Sequence, residues 1–189
     1  MNVGVLALQG AFVAHARVLR GLDTDPVEVR GSDDLEHIDA LILPGGESTT
    51  MSMLLETSKL HQPIADRIDG GLPVFGTCAG LILLADGVLD GRADQQSFGV
   101  LDVDVRRNAF GRQVDSFEAE LDVKGLDRPF HGVFIRAPIV ERAGDEVQVL
   151  ACVEHKAVLV RQGNVFAAAF HPELSDDDRI HRMFLEEVC

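Results

Sequence analysis

The chain of 189 residues has no tryptophan, no tyrosine and only three cysteines, and no apolar run approaches membrane-spanning length. Three cysteines without paired spacing exclude a disulfide framework and a cysteine-based metal site. A bilayer-spanning helix needs about 20 apolar residues, so no membrane segment is expected. The N-terminus lacks the basic region of a secretion signal, which together with the few cysteines predicts a reducing, cytoplasmic location.

Basic residues are also scarce, because Lys and Arg number 17 against 31 Asp and Glu, a net charge of −14. Lysine occurs only at positions 59, 124 and 156. Without a basic patch, nucleic acid is not an expected partner. The acidic excess leaves two interpretations open. It is a solvated surface that keeps the protein soluble, or an adaptation to high salt, in which repulsion between carboxylates is screened.

The first half of the chain alternates short apolar runs with segments of helical periodicity. Buried strands are predicted at 2–8, 27–29, 40–43 and 72–75. Helices are predicted at 11–20, 48–60 and 63–68. This β-α-β-α order predicts an α/β fold in three layers, with a mostly parallel central sheet between helices. Loops at the carboxyl ends of such strands usually carry the functional site.

The second half adds an antiparallel β region. Period-two alternation and short apolar runs predict strands at 99–105, 116–123, 133–135, 147–152, 157–160 and 165–170. Gln162-Gly163-Asn164 is typical of a hairpin turn. Ser175 is predicted to cap a last helix whose first turn is acidic. The polar segment 86–97 receives no function. Without a linker or repeat, residues 1–189 are predicted to form a single domain.

Cys78 lies in the pattern Gly-x-Cys-x-Gly, between an apolar run and a helix-like run. This pattern is typical of a nucleophile elbow, a sharp strand-to-helix turn that presents a reactive side chain. Backbone N–H groups at the start of the following helix favour a thiolate. A buried, inert cysteine is the alternative interpretation, but the flanking glycines favour covalent chemistry on an acyl or amide carbon.

A thiol nucleophile needs a base, and His171 is the candidate. It follows the apolar run 165–170, and Glu173 comes two residues later with Pro172 between them. Because proline stiffens this turn, the carboxylate can orient the imidazole. The other histidines, at positions 15, 37, 61, 131, 155 and 181, are interpreted as structural hydrogen-bonding residues.

The loop 43–50, with the sequence LPGGESTT, also follows a predicted strand. It lacks the Gly-Lys-Ser/Thr of a nucleotide-binding P-loop. Two interpretations stay open for it. The loop is a tight turn in which Ser48 caps the next helix, or its N–H groups complete an oxyanion hole with the N–H of Ala79.

The elbow followed much later by His-Pro-Glu resembles the class I, or triad, glutamine amidotransferases, which have a flavodoxin-like fold. Six strings resemble one family among them, the glutaminase subunit of pyridoxal 5′-phosphate synthase. They are GVLALQG (4–10), LPGGESTT (43–50), FGTCAGL (75–81), RNAFGRQ (107–113), GVFIRAP (132–138) and FHPEL (170–174). They span almost the whole chain in order.

The resemblance implies that a Cys78–His171–Glu173 triad hydrolyses L-glutamine to glutamate and ammonia, with no cofactor and no metal. Cys78 is then the nucleophile, His171 the general base and acid, and Glu173 the residue that orients it. Gly46 and Ala79 would supply the oxyanion N–H groups. The positions that match the family's glutamine-binding residues are Gly46, Glu47, Ser48, Arg107, Ile135 and Arg136.

The resemblance also implies a protein partner. In the family, ammonia passes to a separate barrel-shaped synthase (lyase) subunit, within a large hetero-oligomer, that builds pyridoxal 5′-phosphate from ribose 5-phosphate and glyceraldehyde 3-phosphate. A chain of 189 residues is too short to include such a barrel, which takes about 250. Gln9, in the first string, is the candidate for coupling partner docking to the oxyanion hole.

Two alternatives remain open from the sequence. Another amidotransferase glutaminase, feeding imidazole glycerol phosphate or purine synthesis, would share the triad but lack the strings at 107–113 and 134–138. A non-catalytic binding module on a flavodoxin-like fold is the other alternative, and the intact set of Cys78, His171 and Glu173 argues against it.

Overall fold

The computed structural model describes residues 1–92, 94–107 and 116–188. The helices are α1 (Phe12–Arg20), α2 (Ser48–Thr57), α3 (His61–Asp69), α4 (Ala79–Leu84) and α5 (Arg179–Val188). The strands are β1 (Asn2–Leu6), β2 (Asp25–Val29), β3 (Ala40–Leu43), β4 (Val74–Thr77), β5 (Ala85–Val88), β6 (Leu101–Arg106), β7 (Ser116–Leu121), β8 (Phe130–Ile135), β9 (Ile139–Ala143), β10 (Gln148–Val153), β11 (Lys156–Gln162) and β12 (Val165–Ala168). Two 3-10 turns lie at Ser32–Leu35 and Pro172–Leu174.

The central sheet has seven strands in the order β10-β11-β12-β4-β3-β1-β2. The pairs from β12 to β2 are parallel, whereas β10, β11 and β12 pair antiparallel. Smaller sheets contain β5-β6-β9 and β7-β8. The α/β class, the mostly parallel sheet and the antiparallel addition in the second half are therefore confirmed.

Three inner strands are buried along their whole length because they consist almost entirely of apolar or small residues. Every residue of β3, β4 and β12 is buried. Strands enclosed on both faces lose the polar alternation of a half-exposed strand, as is usual in parallel sheets. Because β1, β3, β4 and β12 run parallel to one another, the loops that follow their carboxyl ends lie at the same edge of the sheet.

Helix α4 lies unusually close to the sheet. A Cβ atom at Gly80 would overlap the carbonyl oxygen of Leu43, at the end of β3. A Cβ at Gly76 would in turn overlap the backbone of Gly80. The two glycines of the elbow pattern are thus explained by the close approach of the helix to β3 and β4. This approach fixes the position of Cys78 between them.

Several predicted boundaries differ from the structure. The last helix begins at Arg179 rather than after Ser175, whose hydroxyl donates to the Pro172 carbonyl in the preceding turn. Strands β5 and β9 are additions that the sequence patterns did not indicate. The predicted hairpin is confirmed, because Gln162 pairs with Val165. Most of the string RNAFGRQ, from 108 onward, and Cys189 lie outside the described residues.

Within the described part of the chain, no helix combines the length and the apolar character needed to cross a bilayer.

Gly80→Ala should destabilise the protein by roughly 2 kcal/mol or more, because the new methyl group overlaps backbone that cannot move aside cheaply. Urea unfolding measures this difference. Gly31→Ala is the matched control, since a Cβ there has 3.9 Å to its nearest neighbour, a flexible Asp34 oxygen. Equal unfolding free energies for the two variants would contradict the close contact between α4 and β3.

Candidate active site

Cys78 occupies the turn between β4 and α4 in a strained conformation, with φ 50° and ψ −101°. Few side chains tolerate a positive φ, and such strain concentrates at functional sites. The turn is held in place because the Cys78 N–H donates to the Ala168 carbonyl at 2.8 Å, which extends the pairing of β4 with β12. The side chain is 7% exposed, so it is shielded but still reachable from solvent.

His171 and Glu173 come together beside this turn. The backbone N–H of His171 donates to the Val133 carbonyl of β8 at 2.8 Å. Its Nδ1 lies 2.7 Å from Glu173 Oε1, and the carboxylate is fully buried. Pro172 is the first residue of the 3-10 turn that carries Glu173. The short, stiff turn thus presents the carboxylate to the imidazole two residues before it.

The electrostatics of the pair favour a charged imidazole. Burial by itself lowers the pKa of His171, but hydrogen bonds to Cys78 and Glu173 and their negative charges raise it to about 10. Burial likewise opposes ionisation of Glu173, yet His15 and the bond from His171 lower the pKa of the carboxyl group. A thiolate, an imidazolium and a carboxylate in sequence are the arrangement that an activated cysteine needs.

The glycine loop after β3 lies against the same pair. A Cβ at Gly45 would overlap the imidazole of His171 and lie 3.4 Å from Cys78 Cβ. Gly46 follows at the same edge of the sheet, and Ala79 is the first residue of α4. The N–H groups of the first residues of a helix have no intrahelical acceptor. The N–H of Ala79 is therefore available to a ligand next to Cys78.

Gln9 holds this loop from the other side. Its Oε1 accepts a hydrogen bond from the Glu47 N–H at 3.1 Å, and a Cβ at Gly46 would overlap the same amide. The neighbouring N–H of Ala11 donates to the Gly45 carbonyl at 3.0 Å. The orientation of the Gly45–Gly46–Glu47 backbone is thus coupled to the loop that follows β1.

These elements enclose a cavity of about 360 Å³. Among the residues that line it are all those expected to bind glutamine and the thiol–imidazole pair: Gly46, Glu47, Ser48, Cys78, Arg107, Ile135, Arg136 and His171. Gly10, Gly45, Ile82 and Leu174 also line the cavity. The structure therefore brings these predicted positions together, although they come from five separate segments of the chain.

Glu47, rather than Ser48, caps helix α2. Its carboxylate accepts from the N–H groups of Thr49 at 3.2 Å and Thr50 at 2.7 Å. The same carboxylate pairs with Arg107 Nη2 at 3.4 Å. The tight-turn interpretation with Ser48 as the cap is thus wrong, because Ser48 is already inside the helix and faces the cavity.

The segment 86–97, which received no function from the sequence, contributes to the site. Asp90 Oδ1 accepts from the Arg107 N–H at 2.8 Å. Gln95 Oε1 accepts from Arg107 Nη1 at 3.0 Å, and that nitrogen also donates to Thr49 Oγ1 at 3.0 Å. No pattern in this polar segment indicates the contact, since it depends on where the fold places Asp90 and Gln95 relative to Arg107.

Two histidines interpreted as structural, His15 and His181, are fully buried behind the triad carboxylate. His15 Nε2 lies 3.4 Å from Glu173 Oε2 and 3.1 Å from Thr77 Oγ1. His15 Nδ1 lies 2.9 Å from His181 Nε2. Neither residue belongs to a recognisable motif, so only the folded chain reveals their contact with Glu173.

Comparison with known proteins agrees with this arrangement. Residues 5–189 match the model of the SNO glutamine amidotransferase family. The pyridoxal 5′-phosphate synthase subunit PdxT of Frankia alni is 57% identical over 188 residues, which cover 99% of this chain and 94% of that protein. The PdxT subunit of Corynebacterium jeikeium is 55% identical over 189 residues, covering 100% and 97%.

A solved structure points the same way. The crystal structure of a glutamine amidotransferase superposes with a TM-score of 0.94 and 51% identity, and the match covers 98% of both chains. The resemblance stated from the sequence strings is therefore confirmed. By its residues, its fold and its relatives, the chain belongs to the SNO glutamine amidotransferase family.

Proposed function

We propose that the protein is the glutaminase subunit of a pyridoxal 5′-phosphate synthase, which hydrolyses L-glutamine and supplies the ammonia to a synthase subunit. The observation that carries this proposal is a cavity lined by Cys78, His171 and two arginines, with the buried Glu173 bonded to His171 behind it. The name of the relatives, pyridoxal 5′-phosphate synthase subunit PdxT, supports the choice of pathway.

The cavity fits a zwitterionic amino acid with a carboxamide side chain. Arg107 and Arg136 supply cations for the α-carboxylate, and Glu47 offers a carboxylate to the α-ammonium. Ser48 and Ile135 lie in the wall beside them. With the charged end held by these groups, the carboxamide of the side chain can reach Cys78.

The reaction proceeds in two halves. The Cys78 thiolate attacks the carboxamide carbon, and the N–H groups of Gly46 and Ala79 stabilise the resulting oxyanion. The His171 imidazolium gives its proton to the departing nitrogen, so ammonia leaves and a γ-glutamyl thioester remains. Neutral His171 then removes a proton from water. The hydroxide attacks the thioester, Cys78 leaves as thiolate, and glutamate is released.

The products explain the need for a partner. Ammonia is lost to solvent unless a second protein receives it. We therefore propose a hetero-oligomer with the synthase (lyase) subunit. Gln9 is suited to couple the two proteins, because it fixes the backbone that carries the Gly46 N–H.

Cys78→Ala should lower glutaminase turnover by a factor of about 10³ or more, because the thioester cannot form. The measurement is glutamate release by the complex with its synthase subunit. Cys152→Ala is the matched control, since that cysteine is exposed and lies on β10. Glutamate release that persists in Cys78→Ala, or that no synthase subunit stimulates, would contradict the proposal.

Arg107→Ala should raise KM for glutamine about tenfold or more while kcat changes less, because a buried charge-assisted contact to the substrate carboxylate is lost. Steady-state kinetics of the complex separate the two constants. The adjacent Arg106→Ala is the control, because Arg106 pairs with Glu141 on the exposed surface of β6. A KM that rises equally in both variants would argue against a binding role for Arg107.

Gln9→Ala should leave the unfolding temperature nearly unchanged and reduce the stimulation of glutaminase activity by the synthase subunit several-fold. The ratio of turnover with and without that subunit is the readout. Gln62→Ala provides the control, since the Gln62 side chain donates to Asp66 on the exposed side of α3. Undiminished stimulation in Gln9→Ala would remove the coupling role.

A further inference from the structure

The two oxygens of the Glu173 carboxylate have different neighbours. Oε1 accepts from His171, whereas Oε2 is fully buried and has its nearest donor candidate in His15 Nε2 at 3.4 Å. His15 extends this contact to His181 through its other ring nitrogen. A buried carboxylate oxygen without a donor is costly, so a proton on His15 Nε2, 3.4 Å away, is the polar contact that bears on Glu173 Oε2.

The geometry selects one tautomer of His15. If Nε2 carried no proton, its lone pair would face Glu173 Oε2, and the carboxylate oxygen would have no donor. With the proton on Nε2, that N–H bonds to Thr77 Oγ1 at 3.1 Å, and the nitrogen lies 3.4 Å from Glu173 Oε2, a contact that falls short of a hydrogen bond. Nδ1 then accepts, and the N–H of His181 Nε2 supplies the donor at 2.9 Å. In this cluster, Glu173 Oε2 and His181 Nδ1 are without a hydrogen-bond partner among the described residues.

Both histidines are held neutral by their surroundings. Burial lowers the pKa of His15, and the positive charge of His171 adds to the effect while Glu173 opposes it. Burial and His15 lower the pKa of His181 to about 3. A neutral His15 with one N–H is therefore the form present near neutral pH, and its Nε2 lies beside both Thr77 Oγ1 and Glu173 Oε2.

We propose that His15 is a positioning residue of the active site: its Nε2–H, fixed by the bond from His181, holds Glu173 Oε2 and thereby keeps Oε1 on His171. This inference rests on the triad of the proposed function. Glu173 remains an anion in one orientation, which stabilises the imidazolium of His171 and the thiolate of Cys78. His15 itself touches neither substrate nor the reacting atoms.

Helix α1 holds His15 beside Glu173. His15 lies on α1, and α1 packs against the 3-10 turn that carries Glu173. The same helix begins directly after the loop in which Gln9 holds the Gly46–Glu47 backbone. One short helix thus supports both the carboxylate of the triad and the loop beside the oxyanion site.

The test compares two amides at position 15. In His15→Gln the side-chain NH₂ reaches the place of the imidazole Nε2 and can donate to Glu173, whereas in His15→Asn the amide reaches only as far as Nδ1. We expect kcat of His15→Gln to stay within about threefold of the unchanged protein, and kcat of His15→Asn to fall about tenfold or more. KM for glutamine should change less than about threefold in both variants. The assay uses the complex with the synthase subunit.

A second readout does not depend on turnover. The rate of Cys78 alkylation by iodoacetamide, followed against pH by site-resolved mass spectrometry, reports the thiolate. His15→Asn should move the midpoint of this curve upward by about one pH unit, since the imidazolium is less stabilised, and His15→Gln should restore it. Thr77→Val should leave the midpoint in place, because loss of the Thr77 hydroxyl leaves Glu173 Oε2, 3.4 Å from His15 Nε2, as the acceptor for that N–H.

Each outcome bears on the proposal. An equal fall in kcat in His15→Gln and His15→Asn, or an unchanged kcat in a folded His15→Asn variant, would overturn it. An alkylation midpoint that moves only in Thr77→Val would overturn it as well. His171→Ala separates this failure from failure of the proposed function. If that variant retains glutaminase turnover, the triad itself is wrong, whereas an inactive His171→Ala with a normal His15→Asn removes only the role of His15.

Discussion

The buried carboxylate of Glu173 is the constraint on which the site depends. It is fully removed from solvent, so its oxygens depend on polar groups of the protein. His171 serves one oxygen, and helix α1 places His15 beside the other. Because an unpaired charge in this position would be expensive, the carboxylate links the packing of α1 to the ionisation of the catalytic pair.

A second constraint, the close packing of α4 on the sheet, places the nucleophile. Gly76 and Gly80 leave no space for a side chain, so the chain can turn from β4 into α4 within one residue. Cys78 takes the strain of that turn in its positive φ. The energy stored in this backbone is offset by the surrounding hydrogen bonds, and the result is a thiol held at a helix N-terminus against the imidazole of His171.

The cavity is assembled by topology rather than by any one segment. The strands β1, β3, β4 and β12 are neighbours in the parallel part of the sheet, so the loops after them meet at one edge. The antiparallel strand β8 and the residue after it add Ile135 and Arg136 from outside this sheet. The positive φ of Arg136, 45°, shows that the chain turns sharply where it enters the cavity.

By itself, the sequence determined the α/β class, the elbow at Cys78 and the pairing of His171 with Glu173, because each depends on local periodicity or on residues a few positions apart. It also indicated the glycine loop. It left open whether this loop is a tight turn with Ser48 as the helix cap or supplies N–H groups to an oxyanion. Only the tertiary structure decided that Glu47 is the cap, that the segment 86–97 supports Arg107, and that His15 and His181 lie behind Glu173. Those contacts join residues that are distant along the chain. A local sequence pattern does not indicate which distant side chain lies against a buried polar group.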